Sequence, residues 1–513
     1  MYNKEVRCGY GRNCRKKMMA LFLAGTLAAG TVFTGCGKQT DDPNSGADSG
    51  YQADNGQDAK TAESDMNIAG GDSGTLQARY QIPESCKQDI AVGDTGLKQI
   101  TIDDDTVTIP DTGDMYIAHF KKKTVGNAER RQVAEVVFDT DQKIYAVPDG
   151  KRSRAEVQAD IDWCKDLQKQ SGDTEGYYSS MIAGYEAELK DALDEYPEAG
   201  DYSASTYKGT SGGNACTLYA ADTSKDNLGW SYSIDDLLAY KPKDGAEGVY
   251  TLGLDDYETY RDEETNITED EVNNCTITQD KAERIANDFL SKVGVTDMML
   301  KKTAPLCWVY YSSESKSGDM AVDIDGYIFT YGRAINSQPV SVVNAGLADN
   351  LSWDPETQQQ TDLMATIPAE ECIISVDANG VVSANWVDFL EEAGQQEPAK
   401  LLSFDEMLAK ANETVPAYYK KYPTRYNKIE FNDLTLSYYL KQGTDEASFD
   451  YVPAWILSQY TETTGYTDTV NPEQLVVIDA TDGSVIDLLE LSKAAGSFYD
   501  GEGDTDTSDS AEE

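Results

Sequence analysis

The chain has 513 residues, 40% of them hydrophobic and 26% charged, which is the balance of folded domains rather than of a disordered polymer. That length exceeds one ordinary core and predicts two or three folded units. A formal charge of −48 argues against nucleic acid and bare anionic lipid as partners, because both repel it. It suits an ectodomain that must stay dispersed, and one that attracts cations.

The N-terminus is basic, with Lys4, Arg7, Arg12, Arg15, Lys16 and Lys17. Met18 to Phe33 follows as an apolar stretch rich in Ala, Leu, Gly and Thr, too short and too lightly flanked for a stable membrane span. It ends at Phe33-Thr34-Gly35-Cys36, which resembles a bacterial lipobox, with Phe33 where Leu is usual. The resemblance implies a diacylglycerol thioether on Cys36, cleavage before it, and stable anchoring through two acyl chains. Residues 1–35 are then a lipoprotein signal peptide, and the expected location is the extracellular face of the cell membrane. Without them the chain carries 37 basic and 90 acidic groups, net −53.

Six cysteines remain beyond Cys36: Cys86, Cys164, Cys216, Cys275, Cys307 and Cys372. An even count outside the membrane permits disulfides, with fifteen connectivities. The wide spacings and the lack of any C-x-x-C pair argue against zinc. Cys307 in Leu306-Cys307-Trp308-Val309 lies on an apolar pattern, so buried free thiols are an equal alternative.

Residues 36–80 read as a disordered tether, rich in Asp, Gly, Ser, Asn and Gln and too poor in apolar residues to offset its ordering entropy. As a flexible coil it spans on the order of 35 Å. An N-terminal α+β domain is expected over 81–270. Ile100-Thr101-Ile102 and Val107-Thr108-Ile109 alternate as half-buried strands do, and Met115 to His119 continues the sheet after a turn at Pro110–Gly113. Helices are predicted over Ala128–Phe138, around Val157, Ile161 and Cys164, and over Tyr177–Glu195. Strands return at Ser205–Lys208, Cys216–Ala221, Trp230–Tyr232 and Val249–Leu254.

An acidic stretch, Asp255–Asn274, leads to a second unit, 271–395. Thr278 is the expected N-cap of a helix with Ala282, Ala286, Phe289, Leu290 and Val293 on one face and Gly294 as its C-cap. Strands are expected at Cys307–Tyr311 and Ala321–Tyr331, then a hairpin at Asn379-Gly380. A third unit, 396–495, opens with the capping box Ser403-Phe404-Asp405-Glu406, stapled by Leu402 and Met407. Strands follow at Ile429–Phe431, Leu434–Leu440 and Val452–Leu457. The unit closes with Leu475–Asp487, folded at Asp482-Gly483 by an expected type I′ turn. Residues 496–513 read as an acidic disordered tail. The fold class is therefore α+β, antiparallel sheets with packed helices.

Tyr451-Val452-Pro453-Ala454-Trp455-Ile456 followed by Ile478-Asp479-Ala480-Thr481-Asp482-Gly483-Ser484-Val485-Ile486 resembles the closing strands of PepSY-like modules. With Thr108-Ile109-Pro110-Asp111, Ala282–Val295 and Leu401–Glu406, these residues resemble a family of uncharacterised Gram-positive surface lipoproteins, a domain of unknown function. The resemblance covers roughly residues 85–490 and implies PepSY-like helix-then-strands units over 271–395 and 396–495. It supplies no catalytic or ligand residues.

Catalytic constellations are sparse. His119 is the one histidine, on a strand pattern, so any Ser-His or Cys-His mechanism has to use it. Paired carboxylates for glycoside hydrolysis arise by chance among 90 acids. Calcium is the one metal the acidity invites, at Asp103-Asp104-Asp105, Asp323-Ile324-Asp325-Gly326 and Asp377-Ala378-Asn379-Gly380. None of these fits the twelve-residue calcium loop, and turn chemistry accounts for each. The 32 tyrosines can serve sugar platforms or sheet faces. The reading is a non-enzymatic lipoprotein that uses no cofactor and binds or regulates an envelope or secreted protein, through an edge strand for instance. A glycan- or solute-binding lipoprotein and an envelope hydrolase are the alternatives.

Overall fold

The computed structural model describes residues 74–499 apart from 172, 174–175, 221–227, 255–274, 297, 313–318, 344–352, 355, 358, 361–363, 368, 388–389, 445–447, 461, 464–465, 468–471 and 497. The acidic stretch 255–274, the expected tether up to residue 73 and the expected tail from residue 500 lie outside the described residues, whereas Leu76–Tyr80, read as tether, form a helix whose Leu76 is buried in a core. The main elements, in chain order, begin with α1 (Leu76–Tyr80), β1 (Cys86–Ile90), β2 (Gln99–Asp104) and β3 (Tyr116–Lys122). Next come α2 (Asn127–Val137), β4 (Tyr145–Val147), α3 (Arg154–Ser171), α4 (Tyr177–Glu188), β5 (Thr206–Ser211), β6 (Asn214–Tyr219), β7 (Leu228–Ile234), α5 (Leu237–Tyr240) and β8 (Gly248–Gly253). Then follow α6 (Gln279–Val293), β9 (Met298–Tyr311), β10 (Asp319–Ile335), β11 (Glu371–Asp377), β12 (Gly380–Val387) and β13 (Leu390–Glu392). The chain closes with α7 (Phe404–Lys421), β14 (Lys428–Phe431), β15 (Asp433–Gln442), β16 (Ser448–Gln459), β17 (Gln474–Asp479) and α8 (Leu488–Ala495). The α+β class is as expected: helices pack on sheets whose pairings are antiparallel, save the parallel β2–β14 pair.

The boundaries of the units are not as expected. The strands of 81–270 divide between two cores. β1 and β2 form a sheet with β14, and β3 pairs with β16, so the chain's first strands belong with its last. Their shared core holds Leu76, Ile100, Phe120, Phe431, Trp455 and Ala495 together. Strands β4 to β8 instead join β9–β12 in one long sheet of order β4-β5-β6-β7-β12-β11-β10-β9-β8, with Gln338–Pro339 folded back on β10. A body made of residues from about 125 to 387 is therefore inserted into a body made of both ends. Sequence-local reasoning assigned neighbouring strands to one sheet, whereas the apolar faces are satisfied by partners some three hundred residues away.

β16 is the central strand of the end-built body. One edge pairs with β15 along its whole length. The other pairs with β3 over Ser448–Tyr451 and with β17 over Ala454–Gln459. Pro453, which has no N–H, sits where one partner gives way to the other, and its carbonyl accepts from the Ala480 N–H at 2.9 Å. Within an antiparallel strand a residue's N–H and C=O point to the same side, so the missing donor faces the gap between β3 and β17. That placement is how an interior strand tolerates proline. The outer edge of β15 is closed by two lone parallel bridges, Thr108–Thr435 and Val340–Tyr438. The Asp104 carboxylate also accepts the Leu434 N–H at 2.9 Å there. Val107–Ile109, expected as a strand, serves as that edge cover instead.

In the inserted body, α2 and α6 lie on one face of the long sheet, burying Val133, Val137, Ala286 and Phe289 against Trp230, Phe329 and Ile374. Helix α6 starts after Thr278 and ends at Gly294 with φ 81°, as its spacing predicts, although the Thr278 side chain caps nothing. The opposite face carries Leu306, Trp308 and Tyr310 under α5. A helical pair, α3 and α4, has its own small core of Val157, Ile161, Cys164 and Ile182. Helix α4 stops at Glu188 rather than Glu195, because the Leu193 backbone exchanges hydrogen bonds with Arg152 and Arg154 instead. Glu156 fixes this pair to the sheet: it caps Ser153, which donates to it from backbone N–H (3.1 Å) and hydroxyl (2.9 Å), and also accepts from Tyr196 and from Lys208 of β5. Burial raises the Glu156 pKa, but those donors outweigh it and hold the carboxyl at about 2.

The hairpin at Asp482-Gly483 is present but is not a ladder. Its second arm makes one bridge, Ile478–Val485. Gly483 has φ 76° and Asp482 is not left-handed, which excludes the expected type I′ turn. The loop closes over four residues: the Gly483 N–H reaches the Asp479 carbonyl (2.9 Å), and the Asp479 carboxylate accepts from Thr481 (2.8 Å). The hairpin expected at Asn379-Gly380 forms, with Asp377 opposite Gly380, so that Ala378 and Asn379 are its central residues. The capping box Ser403–Glu406 is present in full.

The two bodies interlock at the tip of β10. Ile335 and Val340 enter the end-built core, and the intervening Asn336 and Ser337 are both left-handed, at φ 49° and 63°. At the base of this peg the Arg333 guanidinium grips Glu370 through Nε (2.9 Å) and Nη2 (2.6 Å), with side chains 5% and 0% exposed. Trp386 donates its indole N–H to the same carboxylate (3.0 Å). Arg333 also donates to the Leu390 carbonyl (3.3 Å) and lies 5.2 Å from the Phe120 ring centroid, both in the end-built body.

Breaking that pair from one side strands a buried charge. Arg333→Met or Glu370→Leu alone lowers stability by about 3–5 kcal/mol, whereas the double substitution restores most of the loss. Urea unfolding of the four proteins checks this, and single variants within about 1 kcal/mol of the parent contradict it. The Glu156 anchor has a pH signature. Its folded pKa of about 2 lies below the ordinary 4.5, so its contribution is full above pH 4.5 and is lost as pH falls from there toward 2. Glu156→Gln removes that part of the acid sensitivity, which parallel pH-dependent unfolding curves measure.

Candidate functional site

Cys36, the expected lipidation residue, lies outside the described residues. His119 projects from β3 directly opposite Asp450 of β16, its Nδ1 at 2.7 Å from the carboxylate. It is a cross-strand hydrogen-bond partner at a half-exposed position, and the described partner of its side chain is that carboxylate.

The three acidic clusters have separate fates. Asp103 pairs with Lys87, and Asp104 is buried, accepting from the Thr106 and Leu434 N–H groups. Burial, reinforced by the Asp104 charge, pushes the neighbouring Asp433 carboxyl up. The other two clusters come together. Asp323 and Asp325 of β10 and Asp377 of β11 lie on the face of the long sheet that carries Trp308 and Tyr310. Asp323–Gly326 is not a turn, as its Asp-Gly suggests, but a bulge: the β9–β10 register shifts between Ile324 and Tyr327, with Gly326 at φ 110°. A Cβ on Gly326 would stand 2.3 Å from the Val376 carbonyl oxygen, so only glycine fits. Asp377 does serve a turn, accepting the Asn379 N–H at 2.8 Å.

Over this face runs a strap formed by α5 and the loop after it. Asp236 caps α5 by accepting the Ala239 N–H (2.8 Å). The Tyr240 ring stacks on Trp308, centroids 5.9 Å apart at 23°, and its hydroxyl lies 2.9 Å from both Asp377 oxygens. Lys241 Nζ sits 2.7 Å from Asp325 and 4.7 Å from the Trp308 ring centroid. Lys243 Nζ sits 2.8 Å from Asp323 and 5.4 Å from the Tyr310 centroid. Burial and the Asp377 charge push the Tyr240 hydroxyl well above its ordinary range, and burial takes Tyr310 to about 12. Burial raises Asp325, but Lys241 and Thr276 outweigh it and hold the carboxyl below its usual range. Each ammonium is thus seated between a carboxylate and an aromatic face, the arrangement that recognises lysine.

No cluster of three or more potential metal ligands occurs among the described residues, and Asp103, Asp104, Asp323, Asp325 and Asp377 are engaged by ammonium groups, hydroxyls or backbone N–H. The six cysteines beyond Cys36 form no disulfide among the described residues, and five of them are buried. Tyr331 is buried in the core and Tyr327 packs half-buried against it, a sheet-face use of tyrosine. The strap residues Tyr240, Lys241 and Lys243 were missed by sequence reasoning. Their signal was the alternation Leu306, Trp308, Tyr310 along β9, which marks an aromatic face needing a cover.

No family model matches the chain, and no curated protein matches it. A solved structure of an uncharacterized protein from Eubacterium rectale is similar at 13% identity and a TM-score of 0.31, over 79% of this chain and 94% of that one. No described helix is long and apolar enough to cross a membrane.

Because ammonium groups, a hydroxyl and backbone N–H groups already engage these carboxylates, calcium up to the millimolar range gives no binding heat with the folded protein. A saturable isotherm in that range would show the carboxylates to be open to calcium.

Proposed function

We propose that this protein is a lipid-anchored, extracytoplasmic, non-enzymatic binding or regulatory module that acts on an envelope or secreted protein. The observation that carries this reading is the N-terminal sequence: a basic segment, an apolar stretch and Phe33-Thr34-Gly35-Cys36, followed by some forty residues of tether composition. The fold adds a consistent arrangement. Leu76 at its start and Ala495 near its end share one core, so a Cys36 anchor attaches through the end-built body. The inserted body, with the strap and the α3–α4 pair, is then topologically remote from that attachment. Two helix-then-strands successions, α6 with β9–β12 and α7 with β14–β17, support PepSY-like units.

The fold also narrows the route for strand addition. The outer edge of β15 is occupied by residues 104–108 and 340–341. β-augmentation is therefore disfavoured there, and a side-chain surface becomes the better candidate for contact.

Cys36→Ala moves the protein from the membrane fraction to the medium or the soluble fraction, and it no longer incorporates labelled fatty acid. Crosslinking in the native cell followed by mass spectrometry captures a specific envelope protein with the parent and not with Cys36→Ala. Unchanged membrane partition of the variant contradicts the anchor, and capture of nothing specific by the parent contradicts the binding role.

A further inference from the structure

Resting on that binding role, we propose that residues 237–247 are a displaceable cover over an aromatic groove, and that the groove takes a lysine-bearing segment of a partner protein. The groove is the strip Leu306, Trp308 and Tyr310 with Val382 beside it, walled by Asp323, Asp325 and Asp377. The strap, Ala239-Tyr240-Lys241-Pro242-Lys243, is itself the pattern of the ligand. One tyrosine stacks on Trp308, and two ammonium groups are each held by one carboxylate over one aromatic face.

Two features distinguish this cover from ordinary core packing. First, its helix is short and its ion pairs reach solvent. α5 is a single turn of four residues, too short to be stable alone. The Lys241–Asp325 pair is 21%/17% exposed and the Lys243–Asp323 pair 35%/38%, so both, and the second more than the first, are open to screening by salt. Second, the groove is organised without the strap. Asp325 is held by the Thr276 N–H (2.7 Å) and hydroxyl (2.6 Å), and Asp377 by the Asn379 N–H. Trp308 donates its indole N–H to the Asp325 carbonyl (2.9 Å), which fixes the ring. When the strap lifts, carboxylates and rings stay in place for another cation-bearing segment. A chain of net charge −48 attracts such a segment from a distance.

The test uses the mature protein and a labelled, end-blocked peptide Ala-Tyr-Lys-Pro-Lys-Asp, followed by fluorescence anisotropy. Lys241→Ala/Lys243→Ala weakens the intramolecular competitor, and the peptide binds it about tenfold or more tighter than the parent. Adding Asp323→Asn/Asp325→Asn abolishes the gain, and a peptide with glutamine for both lysines does not bind. Equal binding to parent and loosened variant, or binding insensitive to the Asp substitutions, overturns the proposal. So does equally tight binding of spermine, which would make the groove a site for small polycations. A second measurement needs no variant. Hydrogen exchange of 237–247 in the parent accelerates as salt rises from about 0.05 to about 0.5 M while β9 does not change, because the latches are screened ion pairs. No acceleration overturns the cover. Cys36-dependent capture that survives the Asp substitutions leaves the binding role standing and removes this groove from it.

Discussion

The fold depends on one strand having two partners on one edge. β16 spends its first four residues against β3 and its last six against β17, and Pro453 occupies the gap where no N–H is required. This constraint draws the chain's beginning to its end. β3 cannot pair anywhere else without exposing Phe120 and Ala118, which are fully buried against Tyr451 and its neighbours. Once β3 is fixed, β1 and β2 follow, and everything between α2 and β12 must fold as an insertion.

The insertion meets its host through a peg and a buried charge pair. Burying Arg333 and Glu370 is expensive, and the bidentate fork, the Trp386 indole N–H and the Leu390 carbonyl offset the cost. Such a pair specifies one arrangement of the bodies more than it strengthens it. The same long sheet whose β10 ends in this peg carries the Asp325 bulge and the strap on its far face. The candidate groove is thus built on strands already immobilised at one end. Recognition elements on a rigid sheet lose little entropy on binding.

Much of this was legible in the sequence at the level of single elements. Helix α6 with Gly294, the Ser403–Glu406 box and the Asn379-Gly380 hairpin all have local causes, and local causes are what periodicity and turn chemistry report. Helix α8 escaped although its signals were present: Asp487 caps the Glu490 N–H, and Leu488, Leu491 and Ala495 recur on one face. The domain plan was not legible, because β3 reads equally well as a neighbour of β4 or of β16. Only the burial of both faces of β16 decides between them. Nor was the strap. Lys241 and Lys243 read as solvated charges beside a proline, and their carboxylates lie about eighty residues further on, inside what passed for a turn. Cys36 stands on its own local motif and owes nothing to the fold.

The split architecture is tested most directly by removing its second half. A chain ending before Leu401 lacks β14–β17, and hydrogen exchange followed by mass spectrometry then reads each remaining strand. The account predicts that β1–β3 lose protection while β9–β12 keep theirs, since the first group has lost its partners and the second has not. Protection retained over residues 86–122 in that truncated chain would mean that the N-terminal strands fold with the inserted body, and the plan described above would be wrong.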